Sequence, residues 1–145
     1  MNKGIVLFIL VLTVAGVFYA KSVSQTKRQS QMALAKEIRK AMDAMMVDFR
    51  EARSTTIQGV PADGQWHHRV SFNKGGKNVV RYEVTSPTHE LMRTEGDLSQ
   101  FVPIARSIAG LNIRRQPGVL DVLEVQVQAK NQVELVSNFK IRTRD

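Results

Sequence analysis

The chain has no cysteine. It can close no disulfide and offer no thiolate to a metal, so the staple of many small exported domains is excluded. Acidic side chains are missing from its start, where no carboxylate precedes Glu37. From Gly4 to Ala20 there is no charge at all, and Thr13 is the only polar side chain. The polar stretch after Lys21, "SVSQTKRQSQ", lacks both proline and glycine, so nothing in it stops a helix. No internal repeat and no low-complexity segment interrupts the rest.

What is present divides into an apolar run and about 125 further residues, enough for one domain with a modest core. Those further residues carry 20 Lys and Arg against 13 Asp and Glu. A surplus of this size suits a solvated surface, and also an acidic partner, an anionic membrane or nucleic acid, without specifying a fold. The apolar run of 17 residues makes a helix about 25 Å long. That just spans a hydrocarbon core of roughly 30 Å. Phe18 and Tyr19 stand at its end, where amphipathic rings favour the membrane boundary, and Lys21 closes it. A cleaved secretory signal needs small residues before the cut, and Phe18 is too bulky for that place, which favours a retained anchor over residues 1–21. Lys21, Lys27 and Arg28 after the run outweigh Lys3 and the amino terminus before it, a balance that mildly favours a cytoplasmic head.

The remainder, residues 22–145, reads as an α+β head. An amphipathic helix is predicted over 32–54. Leu34, Ala35, Ile38, Ala41, Met42, Met45, Met46, Phe49 and Ala52 fall within an arc of about 140°, with Lys36, Arg39, Lys40, Asp43, Arg50 and Glu51 outside it. Methionines on that arc suit core packing better than an adaptable groove. The helix should end near Ser54, before Gly59, Pro61 and Gly64. From residue 65 to 143 the period becomes two, which predicts an antiparallel sheet. Trp66, His68, Val70 and Phe72 share its apolar side, as do Val80, Tyr82 and Val84 beyond the turn "NKGGK". A short strand is expected at Leu91–Arg93, and a loop with one helical turn within Leu98–Ala109. Leu111 and Ile113 precede the turn "QPG". Two long strands end the chain, burying Leu123, Val125, Val127 and Ala129, then Val133, Leu135, Phe139 and Ile141. Alternation this clean leaves one sheet face to be covered, and the amphipathic helix is the element with a matching stripe.

Little in the chain looks like chemistry. The "KGGK" of Lys74–Lys77 is no phosphate loop: the glycine needed five places earlier is Ser71, and no Ser or Thr follows Lys77. His67 and His68 point to opposite faces of a strand and cannot share a metal, and His68 is expected half-buried. His89 beside Glu90 has no nucleophile to serve. Neither an enzyme, a cofactor, a metal nor a small-molecule substrate is expected. Arg114 and Arg115, with Lys140, Arg142 and Arg144 along one strand face, form a basic stripe that could follow a phosphate backbone, without the interleaved aromatics of single-strand binders.

The order of parts is an apolar start, an unbroken amphipathic continuation ending "MMVDFREARSTTI", then "RYEVTSPTHELMR" and "IARSIAGLNI". It resembles a type IV pilin-like protein, most closely a minor pseudopilin (J type) of a type II secretion system or a related minor pilin. The resemblance covers nearly the whole chain. It implies a long N-terminal helix, membrane-spanning in its first half and amphipathic in its second, packed on an antiparallel β-sheet. It further implies a single-pass protein of the bacterial inner membrane with its C-terminal domain in the periplasm. The partners it implies are the membrane, other pilin-like subunits and the secretion or pilus machinery, and the role it implies is structural, in protein transport. Carried onto this chain, the processing site falls at Gly4 and Ile5. The membrane and assembly helix presents Leu7, Phe8, Val11, Leu12, Ala15, Phe18 and Tyr19, and the helix-on-sheet face is Ile38, Met42, Met45, Met46, Phe49 and Ala52. The family's glutamate five places after the processing glycine is Ile9 here. The alternative is an anchored binding module whose basic sheet face meets an anion such as nucleic acid.

Overall fold

The computed structural model describes residues 3–75, 78–96 and 100–141, with side chains from Val23 onward. The side chains of Gly4, Ile5, Leu7, Phe8, Val11, Leu12, Ala15, Phe18 and Tyr19 lie outside the described residues. Helix α1 spans Lys3–Glu51. Its 29 residues from 23 to 51 are not apolar enough to cross a membrane, and among the described residues no other helix is. The chain divides into two compact units, Met1–Ala33 and Leu34–Asp145, and the α+β architecture belongs to the second.

That unit follows the helical period closely. Ile38, Ala41, Met42, Met45, Phe49 and Ala52 are buried, and Leu34 and Met46 pack against the core at its edge. The helix stops at Glu51, three residues before the predicted end. Beyond it Ala52 bridges to Lys74, and a 3-10 turn, Ser54–Thr56, leads into an extended segment. Gln58 of that segment exchanges backbone hydrogen bonds with Ser71, at 2.7 and 3.1 Å.

The strands are β1 (Arg69–Lys74), β2 (Asn78–Thr85), β3 (Glu90–Glu95), β4 (Val102–Arg106), β5 (Ile108–Arg114), β6 (Val122–Ala129) and β7 (Glu134–Lys140). They form two antiparallel sheets rather than the expected one, β1-β2-β3-β4 and β5-β6-β7. The chain passes between them at Ser107, whose φ of 59° is the left-handed conformation a sharp change of direction demands. The described part of the stretch Leu98–Ala109, residues 100–109, thus holds no helical turn: it supplies β4 and the start of β5. The alternation is hard to read there for three reasons. Pro103 sits in an edge strand, where its missing N–H is tolerated, the pairing of β3 with β4 shifts between Leu91 and Met92, and that of β5 with β6 shifts between Ile108 and Gly110.

The apolar faces of both sheets meet the helix stripe. Phe49 is the common point: its ring lies 5.1 Å from Phe72, 6.2 Å from Tyr82 and 5.4 Å from Phe139, between aromatic residues of both sheets. Burying a side chain of this size contributes roughly 1.5–3 kcal/mol, so the stripe as a whole dominates the docking. The outermost strand departs from expectation. On β7 Phe139 is buried but Leu135 is 42% exposed, and Val133 just ahead of it is half-buried, because this strand has a neighbour on one side only.

Candidate functional site

The expected helix-on-sheet face comes together as one surface, and at its centre lies a residue the apolar pattern passed over. Asp48 is 3% exposed. Consecutive strands of the first sheet each send it a donor. From β3, Arg93 Nε donates to Oδ2 at 2.6 Å and its terminal nitrogen to Oδ1 at 3.2 Å. From the end of β1, Lys74 Nζ approaches Oδ1 at 2.9 Å. From the middle of β2, the Tyr82 hydroxyl donates to Oδ2. Outer carboxylates complete the cluster, Glu95 pairing with Arg93 and Glu51 lying 3.9 Å from Lys74.

Electrostatics follow from this crowding. Burial works against the charged form of Asp48, but donation from Arg93, Tyr82 and Lys74 more than offsets it and holds the carboxyl below its ordinary range. Arg93 and Lys74 are pushed up, in each case chiefly by their hydrogen bonds to Asp48. Tyr82 is pushed well up, first by burial and then by the same carboxylate. Glu95 is held low by Arg93. A carboxylate held in its charged form by three donor side chains is a weaker proton acceptor than a free one. What it can do is fix position. Sliding the helix by one residue turns Asp48 about 100° away from its donors, so the cluster selects one register of helix on sheet.

Other sequence-derived candidates fare differently. His68 is exposed, not half-buried, and strand β1 begins only at Arg69, so Trp66 and His68 lie ahead of the alternating stretch and outside the core. His67 pairs through its backbone with Ile113, and its Nε2 lies 3.2 Å from Asp63 Oδ1. Among the described residues no three His, Asp or Glu are grouped to hold a metal ion. Of the basic stripe, Arg115 is buried, Arg114 Nε is held by Glu124 at 2.8 Å, and Lys140 is exposed. Arg142 and Arg144 lie outside the described residues.

Asp48 left a faint trace in the sequence. At about 100° per residue it falls only about 20° beyond Ala41, at the edge of the apolar stripe, where a charge is either wasted or buried with partners. No family model matches the chain, and no curated protein matches it.

Proposed function

We propose that the chain is a membrane-anchored, pilin-like structural subunit, a minor pseudopilin or minor pilin of a secretion or type IV pilus-like assembly. In this reading the uncharged run Gly4–Ala20 is the single span in the bacterial inner membrane, and Leu34–Asp145 is the periplasmic head. The observation that carries it is the docking of α1 on the sheets, with an apolar stripe buried against both and Asp48 fixing its register. An apolar half-helix is stable in lipid or in the dry centre of a helical bundle, so one surface serves both storage and assembly. The head docks on the amphipathic half of that helix, from Leu34 onward. The work is done by packing, with other pilin-like subunits as partners, and requires no cofactor and no substrate.

Cysteines placed singly at Val11 and Val17 should crosslink to pilin-like neighbours in intact cells, and capture of none would falsify the assembly role. A reporter fused after Asp145 should be active only in the periplasm. Cytoplasmic activity, which the flanking charges mildly favour, would return the chain to the class of anchored binding modules. Among the described residues of its basic face, Arg115 is buried and Arg114 is held by Glu124, so those two arginines lend that class no support.

A further inference from the structure

Trp66 is the only tryptophan of the chain and stands 37% exposed. It is nonetheless held still. The next residue, His67, exchanges both backbone hydrogen bonds with Ile113, each 2.8 Å long. The guanidinium of Arg114, the residue after Ile113, lies 4.3 Å from the centre of the indole, and Glu124 ties that guanidinium at 2.8 Å. A large flat ring, wet on part of its surface and clamped by a cation, is a platform rather than a packing residue.

Beside it opens a cleft of about 540 Å³, where Trp66 is joined by His67, His68, Arg69 and Glu83. A second hollow of about 210 Å³ shares Gly59 and Arg69 with the first and adds Gln58, Ser71 and Arg81. Taken together as one polar groove, they have Trp66 in the first hollow and Arg81 in the second. Its positive charge is interrupted: Arg69 and Arg81 face one carboxylate, Glu83, which stands directly opposite Arg69 in the register of β1 and β2. A nucleic-acid strand asks for a uniformly positive track, and an apolar peptide asks for apolar pockets. This groove offers one flat ring, guanidinium donors, a carboxylate acceptor, and an amide and a hydroxyl that do both. That set matches a chain of hydroxyl-bearing rings, each with an apolar C–H face and a polar rim.

We infer that the groove binds a linear oligosaccharide, one sugar ring stacked on Trp66 and the following units running past Arg69 toward Arg81. The clamp on Trp66 lowers the ordering cost of binding, since the platform is in place beforehand. None of the lining residues belongs to α1 or to the Asp48 cluster, so the groove can be filled or emptied without disturbing helix docking.

Since Trp66 is the sole tryptophan, its fluorescence reports on this groove alone. The full-length chain in mild detergent would be titrated with cellotetraose, chitotetraose, tetragalacturonate and, as a competing class, a short oligodeoxythymidylate. A saturable emission change with at least one saccharide is expected. By calorimetry Trp66→Ala should weaken that saccharide about ten-fold or more. Arg81→Ala, at the far end, should weaken the tetrasaccharide while leaving the disaccharide of the same sugar unchanged, with circular dichroism verifying that both variants are folded. Silence toward all three saccharides, a response to the oligonucleotide alone, or undiminished binding by folded Trp66→Ala would each overturn the inference.

Discussion

Asp48 and Arg115 are both buried charges of the same head, 3% and 6% exposed, yet their surroundings are opposite. Asp48 is met by Arg93, Lys74 and Tyr82, and its charge is favoured in spite of burial. Arg115 has one terminal nitrogen donating to the Ile57 carbonyl at 3.3 Å, while its Nε has no partner among the described residues. Burial pushes its guanidinium down from its ordinary value. Position explains the contrast. Asp48 sits on a helix face where three strands deliver donors to one point. Arg115 follows the last residue of β5, just before the chain turns at Gln116–Gly118, and its guanidinium meets one backbone carbonyl, that of Ile57 in the extended segment after the helix. The first ion specifies an arrangement; the second is tolerated by one.

Replacements at the two sites should therefore differ in sign. Asp48→Ala leaves Arg93 and Lys74 without their shared anion and should lower the unfolding free energy by about 3–5 kcal/mol, read from urea or thermal denaturation. A loss below about 1 kcal/mol would remove the claim that this ion fixes the register.

Acid should sharpen the same comparison. The folded-state pKa of Asp48 is depressed, so its contribution is complete above the ordinary value of 3.8 and is lost as pH falls through the folded value. Stability of the parent chain should decline from about pH 4 downward. Asp48→Asn, already deprived of that charge, should show a shallower acid limb when the two are compared pH by pH. Parallel limbs would mean that other carboxylates, Glu95 or Asp63 among them, carry the acid response.

Arg115→Met keeps the buried stem and removes the poorly paired charge. It should be neutral or stabilising by about 1 kcal/mol in the same denaturation assay, the opposite of the result at Asp48. A clear destabilisation would show that the guanidinium has partners in solution beyond the Ile57 carbonyl. Smallest of all should be Glu95→Gln: this carboxylate is at the open end of the cluster, and its exchange should cost less than about 1 kcal/mol.

Much of the head is legible in the sequence. The stripe from Ile38 to Ala52 has the helical period, and Val80 with Tyr82, or Leu123 through Ala129, alternate as half-buried strands must, because each packs against a single continuous surface. What escaped reading depends on long-range geometry. The split into two sheets turns on the backbone at Ser107, which no hydrophobic period registers. Leu135 looked like core because its period is right, but an edge strand has no neighbour to complete the cover. Trp66 shares the period of β1, but that strand begins only at Arg69, so the alternation by itself assigns to the sheet a ring that lines the solvent groove. Asp48 was invisible for a further reason. Its donors come from positions 74, 82 and 93, and no local pattern predicts that three separate strands will converge on one carboxylate.

One contact at the opposite margin of the head has a larger reach than its size suggests. The backbone N–H of Arg106, on β4, donates to Glu37 Oε2 of the helix at 2.8 Å. An open strand edge is a template on which another chain can add, and here the docked helix itself occupies part of that template. Lifting the helix from the head thus does two things at once, uncovering the apolar floor and baring an adhesive border. Partial melting of this protein should lead directly to clumping, and conditions that keep the helix seated should be those that keep purified material in solution.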